Sequence, residues 1–286
     1  MAETRCPRRE ARDEKGRAMK DAVVVEPIGS GITKITLSRP DRLNAMNYAL
    51  VRGLHDALDD VAADLSCRVI VLTGEGRGFC AGLDLTEGAS PPATQGMGRA
   101  QAGMTVQKLI AALPPKMRAM PQPIIAAVNG AASGGGLALA LASDVRIAAS
   151  SARFNVAFIR VGLSGCDIGV SWLLPRLIGA SRAFELLLTG RLIDAAEADR
   201  IGLVSRVVPD GSVVEAAMDT ASLIVGNSPF GVRMTKEVMW SQLEIGSLQA
   251  GIDLENRTQV LSSFTGDLPE AMRAFAEKRP PVFKDE

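Results

Sequence analysis

The group best suited to chemistry in this chain is backbone rather than side chain. Leu137 to Ala142 is apolar on every side and follows Gly134-Gly135-Gly136, which predicts a short buried helix whose N-terminus lies bare at the glycines. The first turn of a helix leaves N–H groups unpaired and partly positive, and with no side chain on Gly135 another molecule can approach them closely. Such a place can hold an oxygen that becomes negative, as one half of an oxyanion hole. A second stretch, VIVLTGEGRGFCAGLDL from Val69 to Leu85, repeats the pattern. Its strand runs into a glycine-rich loop that ends on Ala81-Gly82-Leu83-Asp84.

Side-chain candidates are few. His55 is the only histidine and lies in a stretch of helical period, Tyr48 to Ala62, with Asn47 as a candidate cap. It reads as a packed or surface histidine. Gly162-Leu163-Ser164-Gly165 loosely matches a nucleophile elbow, but the histidine precedes the serine, which argues against an α/β-hydrolase triad. Cys6, Cys67, Cys80 and Cys166 show no ligand spacing. Cys80 reads as filling behind its loop, and Cys166 has no histidine or cation beside it to draw out a thiolate. No Walker lysine follows either loop, and no strand–GxGxxG–helix unit is present, so nucleotide folds fit poorly.

The elements that must position these groups follow from the pattern. Val23–Glu26 and Ile32–Leu37 read as a hairpin, Val69–Thr73 and Ile124–Val128 as buried strands, and Arg153–Ala157 as a short one. Ser90 to Gly103 reads as a mobile loop, Met104 to Met117 as one helix, and Val161 to Asp167 as a loop before a helix over Ile168 to Ile178, kinked or restarted at Pro175. Glu185 to Leu188 and Ala195 to Ile201 read as further helices, and four amphipathic ones follow at Val213–Val225, Gly231–Ile245, Leu248–Ser263 and Glu270–Glu277.

A net charge of zero gives no electrostatic case for nucleic acid or an anionic membrane surface. No apolar run reaches transmembrane length and no signal peptide is visible, so the expectation is a cytoplasmic enzyme. Residues 1–20 are charge-dense and without apolar period, as in a disordered tail; Glu3, Glu10, Asp13 and Glu14 argue against a mitochondrial leader, and Met19 is an alternative start.

GRGFCAGLDL, PIIAAVNGAASGGGLALALASDVRIA and the terminal FAEKRPPVF together resemble the crotonase, or enoyl-CoA hydratase/isomerase, family over Asp21 to Phe283. The resemblance implies an α/β crotonase/ClpP-like spiral of repeated β-β-α units over residues 21–210, holding an acyl-CoA site. It implies a C-terminal helical region over 211–286 that builds homotrimers, pairing into hexamers. The Leu83 and Gly135 N–H groups would grip the thioester carbonyl and stabilise an enolate, with Ala81 and Asp84 of the same loop among the substrate-binding residues. Coenzyme A would enter as part of the substrate, with no separate cofactor or metal. Arg42 would border the CoA channel, or else be a solvated arginine beside Asp41. Lys278 matches the family's CoA-phosphate lysine, or else is a solvated terminal lysine.

The acids depart from the family. Hydration of an enoyl-CoA needs two carboxylates around one water. The two glutamate positions of the family's hydratases fall here on Ala138 and Phe158, and neither can move a proton. The one acid left in the right neighbourhood is Asp167, where family members that isomerise dienoyl-CoA or dehalogenate aryl-CoA carry an aspartate. It reads either as a proton shuttle or as the cap of a helix starting at Ile168. Asp144 and Asp84 read better as structural. The resemblance thus favours isomerase-like chemistry through Asp167. Hydratase-like, hydrolytic or dehalogenating activity and a silent acyl-CoA-binding subunit are the alternatives.

Overall fold

A computed structural model describes residues 22–284; the expected N-terminal tail, with Cys6 and Met19, lies outside them. Val23–Gly29 (β1) and Ile32–Leu37 (β2) form the expected antiparallel hairpin. Asn47 caps Tyr48–Ala63 (α1), its side chain accepting from Leu50 N at 3.0 Å. Successive strand–strand–helix turns follow. Val69–Gly74 (β3), Gly78–Cys80 (β4), Arg99–Ala111 (α2) and Leu113–Ala119 (α3) make the first. Ile124–Val128 (β5), Ala131–Ser133 (β6) and Gly135–Ala142 (α4) make the next, then Val145–Ala149 (β7), Arg153–Asn155 (β8) and Val170–Ile178 (α5). Ala180–Thr189 (α6), Ile193–Asp194 (β9), Ala195–Arg200 (α7) and Arg206–Val208 (β10) close the core. Val213–Val225 (α8), Pro229–Gln242 (α9), Leu248–Ser263 (α10) and Asp267–Glu277 (α11) complete the described chain.

The first strand of each turn joins one sheet, in the order β1-β2-β3-β5-β7-β10, and the second joins a smaller sheet, β4-β6-β8-β9. Neighbours β3, β5 and β7 are parallel, as are β4, β6 and β8. Each turn therefore lays one strand in each sheet before its helix, the α/β spiral that the sequence led us to expect. Both faces of β3 and β5 are buried, which is why they read as continuous apolar runs. Ile70, Leu72, Ile124, Ala126 and Val128 face the core shared with α1, α3, α4 and α5. Val69, Val71, Ile125, Ala127 and Ile147 alternate with them and pack against Val213, Ala217 and Ala221 of α8.

Several boundaries differ from those expected. The Ser90–Gly103 loop ends early, because α2 already begins at Arg99. Met104–Met117 is not one helix: α2 stops at Ala111, and α3 restarts at Leu113 with a proline in its first turn, where a missing N–H is tolerated. β8 stops at Asn155 rather than Ala157. The helix expected from Ile168 begins at Val170 behind Gly169 and runs through Pro175 to Ile178 without a restart.

α9 is anchored through a buried lysine. Lys236 Nζ lies 3.0 Å from Asp144 Oδ2 and donates to Met117 O and Gln122 O at 3.1 and 2.9 Å. Burial draws this ammonium below the ordinary lysine range and Asp144 opposes the shift. Asp144 also accepts from Ile124 N and from Trp240 Nε1, each at 2.7 Å, so it is structural as expected. Among the described residues no helix is long and apolar enough to cross a membrane.

Candidate active site

The two glycine loops meet. Gly82 has φ +93°, and a Cβ there would stand 2.8 Å from Ser133 O and 3.5 Å from Gly135 N. Only glycine gives both that backbone conformation and that closeness. A Cβ on Gly136 would lie 1.9 Å from Cys80 O, so the N-terminus of α4 sits directly on the end of β4. Glycine-rich spacing in the two segments is thus the means by which two backbone turns pack without side chains between them.

This packing leaves two N–H groups on neighbouring backbone. Met46 and Leu83 form an isolated parallel bridge, in which Met46 N donates to Gly82 O at 2.7 Å and Asp84 N donates to Met46 O at 2.9 Å. The alternation of a parallel pairing turns the Leu83 N–H to the opposite side. Gly135 is the first residue of α4, where the helix itself offers its N–H no partner. Leu83 is 38% exposed, so its backbone is within reach of a ligand. Two polarised donors side by side can stabilise an oxygen that gains negative charge during reaction.

The two positions that the resemblance matches to the hydratases' glutamates are apolar and buried. Ala138 is buried on α4, and the buried Phe158 ring would come 3.3 Å from a Cβ on Gly134. Ile168 and Met46 lie over Gly135: a Cβ there would meet Met46 Sδ at 3.0 Å and Ile168 Cδ1 at 3.5 Å. Ile168 has φ +34°, a rare state for a β-branched residue. The turn that holds it there also carries Asp167, the residue next to the side chain that lies over Gly135.

Asp167 is not the helix cap. The cap position of α5 is Gly169, and the Asp167 side chain instead accepts from the very next residue, Ile168 N, at 2.7 Å. Its carboxylate is half-buried and also accepts from Gln107 Nε2 of α2. The capping alternative is therefore overturned. Gln107 was not singled out from sequence, because an exposed glutamine on a weakly amphipathic helix carries no pattern.

Asp84 latches the Leu83 loop. Its Oδ1 accepts from Thr86 Oγ1 at 2.6 Å, Thr86 N at 3.0 Å and Glu87 N at 3.1 Å. Its Oδ2 pairs with Arg39 Nη1 at 3.0 Å. The Thr86 hydroxyl chiefly, then the two backbone N–H groups and Arg39, hold this carboxyl well below the usual range against the opposing pull of burial. A depressed folded value means the latch contributes its full stability above the ordinary carboxylate pKa of about 3.9 and loses it as the pH falls toward the folded value. Asp84→Asn should therefore destabilise the protein by about 2 kcal/mol at pH 7. It should also flatten the loss of stability on acidification below pH ~4. Urea unfolding at pH 7 and in acid checks both; a variant that matches the parent at the two pH values would refute the latch.

The remaining candidates are dispersed. Ala81 is half-buried, its N–H donating to Leu43 O at 3.0 Å. Arg42 is exposed in the turn Pro40–Arg42. Lys278 is exposed in the left-handed conformation that ends α11. The segment after it is held by Glu270, which pairs with Arg273 and Arg279 and accepts from Val282 N at 2.9 Å. His55 is buried, its Nε2 donating to Leu109 O at 2.9 Å, as a packed histidine should. Cys80 is buried and its thiol pushed up to about 12 by that burial, so it supplies no thiolate. Cys166 is exposed and free.

Comparison with known proteins covers nearly the whole chain. The family model for enoyl-CoA hydratase/isomerase matches residues 27–286. A probable enoyl-CoA hydratase of Mycobacterium tuberculosis is 44% identical over 271 residues, covering 94% of this chain and 95% of the relative. The 1,2-epoxyphenylacetyl-CoA isomerase of Escherichia coli is 36% identical over 260 residues, covering 91% and 97%. Among solved structures, a probable enoyl-CoA hydratase/isomerase from Mycobacterium abscessus superposes with a TM-score of 0.87 at 40% identity, covering 93% of this chain and 99% of the other.

Proposed function

The chain belongs to the enoyl-CoA hydratase/isomerase family, and from that premise we propose that it isomerises an acyl-CoA through a thioester enolate, with Asp167 as the group that moves the proton. The Leu83 and Gly135 N–H groups hold the thioester oxygen. Asp167 takes a proton from the carbon next to the thioester, and the C–H electron pair passes into the enolate. The protonated Asp167, whose carboxyl proton can exchange with solvent, then delivers one proton either back to that carbon or to a carbon further along the conjugated system. The double bond thus shifts with no net gain or loss, and solvent label can enter.

The observation that carries this reading is the pairing of a donor-lined backbone site with a single carboxylate. Ala138 and Phe158 leave no second acid to activate water, although relatives at 44% identity are named as hydratases. One carboxylate suffices for a proton that is removed and returned. The name of the E. coli relative, an isomerase of an acyl-CoA, supports the same choice. Arg42 and Lys278 are the cations proposed to meet the CoA phosphates. The exposed Phe264, Met272 and Phe275 on the C-terminal helices support assembly into homotrimers or their dimers.

The test is a mass-spectrometric screen of purified protein against saturated, 2-enoyl, 3-enoyl, dienoyl and aryl-CoA thioesters in D2O. Deuterium beside the thioester, with a shifted double bond and no gain of water, is the expected result. Stoichiometric water addition would mean hydration. Tight binding with no exchange on any member would mean a silent subunit.

A further inference from the structure

Two donors converge on one oxygen of Asp167. Gln107 Nε2, from α2, and Ile168 N, at 2.7 Å, both donate to Oδ1, whereas Oδ2 accepts no hydrogen bond among the described residues. The donors come from opposite sides in the chain, one local and one from a helix that precedes the central strand. Ile168 N alone would leave the carboxylate free to turn about its Cβ–Cγ bond, which is a soft, roughly two-fold torsion. The amide of Gln107 removes that freedom. It is also neutral, so it orients the carboxylate without supplying the full positive charge that a lysine or arginine would bring. Gln107 itself is exposed and contributes nothing to the core.

We propose that Gln107 is a positioning residue for the proton-transferring carboxylate. By fixing Oδ1 it makes Oδ2 the oxygen that takes the proton from the substrate carbon and gives it back, always from the same side. The inference rests on the proton-transfer role of Asp167 given above. No bond of Gln107 breaks in the cycle. The proton travels from carbon to Oδ2 and on to carbon, while the electron pair passes through the enolate.

The contact is tested first without substrate, by the side-chain amide signals of Gln107 in a 1H–15N spectrum, assigned with Gln107→Leu. They should move in Asp167→Ala, which removes the acceptor; signals that stay in place would overturn the proposal. With the acyl-CoA that turns over in the D2O screen, Gln107→Leu should lower kcat by about tenfold to a hundredfold, as expected for a misplaced reacting group. KM should stay within about twofold, because the substrate is held elsewhere. Gln107→Glu, of the same shape but an acceptor of like charge, should lose at least as much. Deuterium should enter one face of the carbon in the parent and both faces in Gln107→Leu. Full kcat in Gln107→Leu, beside an inactive Asp167→Asn, overturns the positioning role alone. Full kcat in Asp167→Asn overturns the reading on which it stands.

Discussion

Replacing Asp167 by Asn is expected to cut kcat by roughly 10²- to 10⁴-fold while leaving acyl-CoA binding within a few-fold of the parent. Asparagine has the shape of aspartate and keeps an oxygen that can accept from Ile168 N and Gln107 Nε2, so the turn at Ile168 is retained. It cannot accept and return a proton. A purely structural aspartate would give the reverse: activity intact and stability lowered by ~1 kcal/mol, the usual worth of a helix cap. The position makes that second outcome hard to reach. The helix starts behind Gly169, and the bond that closes the turn, Val170 N to Asp167 O at 2.8 Å, is made by backbone and survives any side chain. Turnover, binding of a non-reactive acyl-CoA, and thermal unfolding measured on one preparation separate the two. Full turnover in Asp167→Asn would refute the proposed mechanism.

The parts of this molecule that were legible in sequence are those whose cause is local. β3 and β5 are apolar on both faces because the sheet is covered on both, and the glycines at 82 and 136 are where backbone approaches backbone, while those at 134 and 135 lie under the side chains of Phe158 and Met46. The helix over Val213–Val225 could be placed from its period alone. What could not be read depends on partners far away in the chain. Nothing in the residues around Lys236 marks it for burial, yet it is buried where Asp144 and two carbonyls meet it on the core. Asp167 reads equally as a proton shuttle or as a cap, because aspartate before a helix is often the latter. Its actual bonding is set by the positive φ of Ile168, a state no β-branched residue adopts by its own preference. Gln107 gives no signal at all, since only the packing of α2 against that turn makes it meet Asp167. At this site the local rules fail together around one carboxylate, and departures of this kind cluster at functional sites.

The complementary test removes a donor instead of the acid. Gly135→Pro deletes the N–H at the first position of α4, where a helix needs none and proline's fixed φ is well suited. The residue before it is Gly134, which lacks the Cβ that a following proline ring most restricts. Crowding at the new ring falls on the flexible end of Met46, whose Sδ is the nearest atom to an added Cβ. The helix should therefore form, and circular dichroism and the unfolding midpoint should stay close to the parent. Catalysis should not. Loss of one preorganised donor to a developing oxyanion lowers kcat by about 10²- to 10³-fold. Because the Asp167 carboxylate is untouched, proton exchange at the substrate carbon should fall by the same factor as double-bond migration, both steps passing through the same enolate. That equality is what ties both steps to one enolate held by this pair of donors. If exchange in Gly135→Pro runs at the parent rate while migration alone is lost, the enolate is stabilised elsewhere, and the pairing of Leu83 with Gly135 is wrong.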